Sequence, residues 1–183
     1  MGQENRDFIG IFHGLALAIA EVGPVEAVLE RVAREARRAL GAKGAAVRLL
    51  DPERGELVLR SAVGLSPAYL EKGAVDANRS ISDTLRGKTV WIEDAGADPR
   101  VAFPEANRAE GIRSILSVPL VIGGEVLGVL RLYFGAPCAL DDGEIAFAEA
   151  LGVLAAIAIQ NARTYEHLKQ DYREVLRGIA SIA

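Results

Sequence analysis

Cysteine is almost missing from this chain. Cys138 stands alone, so no internal disulfide framework can form, and the usage fits a reducing compartment. Long apolar runs are missing too. The run Leu151 to Ile159 spans nine residues and is too short to cross a bilayer. The N-terminus, Met1 to Arg6, has no apolar signal region, and Arg6 stands where a myristoylation signal wants Ser or Thr. Strong charge of either sign is absent. The net charge is −4, and Arg and Lys are scattered apart from Arg34, Arg37 and Arg38, which gives no electrostatic case for nucleic acid. These absences together set the expectation of a cytoplasmic chain with neither a nucleic-acid nor a membrane partner.

Half of the 183 residues are apolar and a quarter charged, enough for one domain with a sizeable core and helix to spare. The most ordered stretch is Ile112 to Phe134. Two strands there are joined by Gly123-Gly124, a two-residue turn whose centre wants positive φ. Both strand faces are mostly apolar, which predicts a hairpin in mid-sheet, covered on both sides. Pro119 cannot donate to a ladder and so needs a bulge or gap. Gly128 marks a close approach by another backbone or by a ligand.

Upstream, Phe8, Ile11, Phe12, Leu15, Ile19 and Val22 fall at helical spacing. Gly23-Pro24 ends that helix, and a second runs to about Leu40 with Gly41 as C-cap. Ala45 to Leu50 and Glu56 to Val63 form another hairpin around a turn-rich connector. Gly64 to Gly111 is different. It holds short helical pieces (Ser66 to Leu70, Ser80 to Leu85, Phe103 to Glu110) and a brief strand, Thr89 to Ile92. Such a long irregular segment laid over a sheet is either a plain cover or the wall of a site.

After Phe134, Asp141 or Asp142 caps a helix, with Glu144 placed to answer as in a capping box. That helix is expected to run some forty residues. Leu151, Ala158, Tyr165, Tyr172 and Ile179 recur every seven, with Leu154, Asn161, Leu168, Val175 and Ile182 as companions three further on. Such a pattern predicts a coiled coil whose polar Asn161 sets register. The first half should dock on the domain and the second should project and pair. The expected dimer seam is Leu154, Ala158, Asn161, Tyr165, Leu168, Tyr172, Val175 and Ile179.

The hairpin carries a recognisable signature. Ser114-Ile115-Leu116-Ser117-Val118-Pro119-Leu120, then Gly124-Glu125-Val126-Leu127-Gly128-Val129-Leu130, resembles the paired strands of GAF domains. The helix with Ala158-Ile159-Gln160-Asn161-Ala162 looks like the family's closing helix, and the likeness extends over about residues 22–166. It implies an α+β, GAF/PAS-like fold, with a central, mainly antiparallel sheet and the N- and C-terminal helices on one face. Short helices and loops would form a pocket on the other. Residues 1–21 would then be an N-terminal dimerisation or signalling helix, 22–166 the GAF domain, and 167–183 a coiled-coil extension.

What the resemblance implies about function is a non-enzymatic sensory or regulatory module of a bacterial signal-transduction system. It would bind a small molecule under residues 64–111 and form a homodimer, alongside an output domain or partner protein. The alternative is a purely structural dimerisation module with a filled pocket. No cofactor is expected. Cyclic-nucleotide members carry a Phe-x-x-x-Asp-Glu pattern, and Phe103 to Asn107 lacks its acidic pair. Covalent bilin needs a cysteine in the pocket segment, and His13 and His167 lie in flanking helices, away from any pocket haem. The sulfoxide-reducing branch depends on several cysteines. Asp83, Asp94 and Asp98 fit turn and capping duties better than a metal site. The candidate ligand-binding residues are Trp91, Phe103, Ser117 and Arg131, followed by Asp94 and Ser80.

Overall fold

The computed structural model describes residues 7–20, 24–51, 53–71 and 81–180, with side chains in the last helix described to Glu174 and at Arg177. Val22, Ser80 and Ile182 lie outside the described residues, as do the side chains of Val175 and Ile179.

Among the described residues five strands make one sheet: β1 (Gly44–Asp51), β2 (Glu56–Val63), β3 (Val90–Ile92), β4 (Ser114–Ile122) and β5 (Glu125–Phe134). Their order is β2-β1-β5-β4-β3, and every neighbouring pair is antiparallel. The hairpin therefore lies in mid-sheet, with β5 central. Gly123 and Gly124 have φ of +59° and +84°, the geometry that lets a two-residue loop follow the strand twist. Pro119 lies beyond the last β3 pair (Val90 with Ser117) and next to a register shift between Leu120 and Val121. Its missing N–H thus falls at an irregularity. Gly128 is explained by backbone: a Cβ there would come within 2.2 Å of the Arg48 carbonyl oxygen on β1.

Three long helices cover one face: α1 (Phe8–Ala20), α2 (Val25–Ala39) and α6 (Asp142–Ala180). Alternation sends Ala45 and Val47 of β1, Leu116 and Val118 of β4, and Leu130 and Leu132 of β5 into their shared core. Burying each leucine contributes about 2 kcal/mol. Phe8 stacks on Phe147 with centroids 4.0 Å apart, which ties α1 to α6. At the start of α6, Asp141 Oδ1 accepts from Glu144 N (2.8 Å) and Glu144 Oε2 accepts from Asp141 N (3.0 Å), a reciprocal capping box. Gly152 lets the helix settle on β4, where a Cβ would meet the Pro119 carbonyl at 3.0 Å.

By length and composition α6 could cross a membrane, since its mean hydropathy reaches 1.7 within Asp142–Glu174, which a count of uninterrupted apolar residues misses. Packing accounts for much of this, because Phe147, Leu151, Ala155 and Ile159 are buried in the helix-side core. Beyond that core the helix leaves the sheet, and from Thr164 onward every described side chain is exposed.

The opposite face is covered by α3 (Pro67–Leu70), α4 (Ser82–Leu85) and α5 (Pro104–Glu110), with the loops between them. Two side-chain links hold α3 to α5. Tyr69 Oη donates to Asn107 Oδ1 at 2.8 Å, and Glu110 accepts from Ser66 N at 3.0 Å and from Ser66 Oγ. Ile81 and Leu85 of the α4 turn pack with Leu57 and Val129 on the sheet.

Candidate functional site

On a sheet covered on both sides, every polar side chain that points inward needs a partner. Among the described residues, the face under α3 to α5 has several without one. Arg48 on β1 and Arg131 on β5 are each 5% exposed, and the Nε of each has no hydrogen-bond partner. Ser117 Oγ on β4 and Thr84 Oγ1 on α4 are fully buried and also unpartnered. Ser61 is a further orphan, but it pairs across from Val47 and so belongs to the helix side.

Register explains why three of these converge. Ser117 lies directly opposite Arg131 in the β4–β5 pair. Arg131 faces Ala46 and Arg48 faces Val129, so the two arginines are diagonal neighbours on one face. Such neighbours stand about 7–8 Å apart at the backbone. Two like unit charges that kept a similar spacing would repel by about 2 kcal/mol at an effective dielectric near 20. Desolvation costs several kcal/mol more for each buried ion, on the order of magnitude found in folded proteins.

Among the described residues little offsets this. Arg48 Nη1 reaches the Leu57 carbonyl at a long 3.5 Å, and the Arg131 guanidinium lies 5.5 Å from the centroid of the Tyr133 ring. Among the described residues no carboxylate makes an ion pair with either arginine; the paired acids are elsewhere. Tyr69 meets Tyr133 edge to face at 5.6 Å and closes one side of the site. Burial, and next the neighbouring Tyr133, push the Tyr69 hydroxyl above the usual phenol range, while Arg131 and Arg48 pull it back.

The sequence-derived candidates divide accordingly. Ser117 and Arg131 come together at this cluster. Trp91 does not: on a three-residue strand it alternates with Val90 and Ile92, so it faces the helices and packs edge to face on Phe134 at 5.6 Å. Phe103 is half-buried at the N-cap of α5 and belongs to none of the buried apolar clusters. Asp94 is exposed and closes a turn by accepting from Gly96 N at 2.8 Å. Asp98 chelates Arg100, whose guanidinium holds that carboxyl below the ordinary range, and Asp83 pairs with Arg86. Among the described residues no three His, Cys, Asp or Glu gather as a metal site would require. Arg48, Thr84, Tyr69 and Asn107 are absent from the sequence-derived set. Arg48 alone left a signal, since it breaks the apolar strand Ala45 to Leu50 just as Arg131 breaks β5.

On the helix side, the expected seam residues also divide. Leu154 and Ala158 are largely spent on the protein's own core, whereas Asn161 is exposed. Tyr165, Leu168 and Tyr172 are 54%, 63% and 65% exposed at heptad spacing on the projecting part of α6. A groove of about 660 Å³ between α1, α2 and α6 is lined by Val25, Val28, Asn161 and Tyr165, among others.

A sequence model described as the GAF domain matches residues 23–160, which take in all five strands of the sheet, α2 and the docked part of α6. The chain belongs to the GAF domain family. No curated protein matches it. Among solved structures, the GAF domain of a phosphoenolpyruvate-protein phosphotransferase from Coxiella burnetii is 21% identical with a TM-score of 0.77, covering 90% of this chain and 99% of that one. A domain of a two-component sensor histidine kinase protein from Sinorhizobium meliloti is 22% identical at TM-score 0.69, with 81% and 99% covered. The free methionine-R-sulfoxide reductase of Neisseria meningitidis, solved with its substrate, is 19% identical at 0.73, with 90% and 96% covered. At these identities the likeness is one of fold. Within this GAF domain the described residues of the segment 64–111, with α3, α4 and α5, roof the face that holds Arg48, Arg131 and Ser117.

Proposed function

We propose that this GAF domain is a non-enzymatic sensory module that binds a small molecule on the sheet face under residues 64–111. The observation that carries the reading is the cluster of buried, unpartnered polar groups at Arg48, Ser117 and Arg131. A core serving stability alone would not keep them, because each costs free energy that an apolar residue of like size would not. A reductase role finds no support. Cys138 is the single thiol, half-buried beyond β5 and 3.6 Å from Ser114 Oγ, with no second cysteine to form a disulfide.

The output surface is the helix side. Arg131 lies between Leu130 and Leu132, both packed into the core shared with α2 and α6. A ligand that favours one sheet geometry would thereby bias the helices, provided its affinity differs between two states. The homodimer forms along Tyr165, Leu168 and Tyr172, whose exposure has no explanation within one chain. Native mass spectrometry of the purified protein, with a thermal-shift screen, tests the sensory reading. Ligand at a hundred times its Kd should add about 2.7 kcal/mol. If nothing copurifies and nothing in the screen shifts the melting point, the protein is a structural dimerisation module.

A further inference from the structure

We infer that the ligand is a small organic oxyanion carrying two negative charges, held by Arg48 and Arg131 with Ser117 and Thr84 as hydroxyl partners; this rests on the sensory reading of that face. Each guanidinium offers five N–H donors and no acceptor. Among the described residues one of the ten finds an acceptor, in the 3.5 Å contact to Leu57. The chemistry the site lacks is therefore acceptor chemistry. The two arginines also share a sign, so a neutral acceptor would satisfy hydrogen bonds yet leave two buried positive charges facing each other. An anion settles both deficits at once.

Geometry limits its size and shape. The arginines are diagonal across β1 and β5, and Ser117 stands directly opposite Arg131 on β4. Three adjacent strands thus each contribute a donor to one point on the sheet. Thr84 approaches from the roof, on a helix that rests against β4 and β5. Carboxylate and phosphate oxygens both match the guanidinium fork. The walls are less polar. Tyr69, Tyr133, Ile92 and Ile115 form an apolar cluster beside the arginines, which suits a short carbon skeleton attached to the charged groups. A dicarboxylate or a phosphate monoester of a few carbons satisfies these conditions.

The test uses the full chain after exhaustive dialysis. Thermal shift and titration calorimetry compare succinate, glycerol 3-phosphate and the neutral isostere succinamide. At least one anion should raise the melting midpoint saturably by several degrees, and succinamide should not. A response to succinate alone identifies a dicarboxylate; a response to glycerol 3-phosphate alone identifies a phosphate ester. Arg48→Gln and Arg131→Gln should each weaken that anion's binding tenfold or more. Without ligand, Arg48→Met and Arg131→Met should melt no lower than the parent, because an unpaired buried charge has been removed.

No response to either anion, or an equal response to succinamide, overturns the inference. So would Met variants and Asp76→Asn that all lower the midpoint, since Asp76 is the one carboxylate in the undescribed stretch 72–80 and would then be the arginines' partner. A neutral compound recovered by native mass spectrometry while both anions stay silent would defeat the anion assignment and leave the sensory reading standing. Recovery of nothing, with no shift from any compound, would defeat both.

Discussion

Gly128→Ala adds a single methyl group at the centre of the sheet, yet it should be among the most damaging substitutions in the protein. The added Cβ would lie 2.2 Å from the Arg48 carbonyl oxygen and 3.0 Å from Leu49 Cα. An ordinary carbon–oxygen approach is about 3.3–3.6 Å, so β1 and β5 must part locally by about 1 Å. Neither obstacle is the free end of a side chain. Both belong to the main chain of β1, whose pairing with β5 runs from Gly44↔Tyr133 to Leu49↔Gly128. Overpacking of a tight core costs about 1–3 kcal/mol, and each ladder hydrogen bond lost adds about 1 kcal/mol. The expected destabilisation is therefore about 3 kcal/mol, or roughly 6–12 °C of melting temperature for a chain of this size. Urea unfolding followed by circular dichroism, together with calorimetry, gives both quantities. The same strand separation displaces Arg48 from Arg131, so binding on that face should weaken along with stability. A loss below about 0.5 kcal/mol, the scale of an inert surface change, would show that β1 does not sit where the clash requires.

Three further outcomes follow from separate features. Replacing Leu168 and Tyr172 together by Lys should lower the dimer fraction measured by light scattering at micromolar protein and leave the domain's melting point within about 0.5 kcal/mol equivalents, because both side chains are exposed in the single chain; an unchanged mass would remove the coiled-coil reading. Asp141→Ala deletes half of the capping box at the start of α6 and should cost about 1 kcal/mol in urea unfolding. Tyr69 keeps its proton in the folded state above the unfolded phenol value of about 10, so its contribution is complete below that pH and is lost as pH rises beyond it. Part of the phenolate absorbance should then emerge only with alkaline unfolding, and Tyr69→Phe should remove that late component.

Periodicity made most of the frame legible. Two glycines at positive φ placed the central hairpin, alternation gave its two buried faces, and the heptad pattern gave α6 its docked and projecting parts. Polar residues interrupting apolar strands pointed to Ser117 and Arg131. Arg48 presented the same interruption, but its meaning depends on the register between β1 and β5, a pairing of residues more than eighty positions apart. No local pattern carries that distance. Trp91 shows the opposite weakness. Val90, Trp91 and Ile92 are all apolar, so alternation cannot say which side faces the roof, and only the pairing with β4 decides. Thr84, Tyr69 and Asn107 sit on helices of four to seven residues, too short for a helical repeat to declare a face.

The same register places both faces on one strand. Val129, Arg131 and Tyr133 point to the roof, and Leu130, Leu132 and Phe134 point to the helices, so six consecutive residues of β5 serve both surfaces. A strand so closely packed on both sides has no slack to take up a shift on one of them. Drawing the two guanidiniums toward a common anion would change the spacing or twist between β1 and β5. Ala45 and Val47 on β1, and Leu130 and Leu132 on β5, would move with it. These residues form the surface on which α2 and α6 rest, and α6 continues without interruption into the stripe at Tyr165, Leu168 and Tyr172. A small angular change where the helix is docked grows along the roughly 25 Å of helix beyond Thr164. Substitutions at Gly152, where α6 approaches the Pro119 carbonyl, should therefore uncouple ligand from helix before they abolish binding.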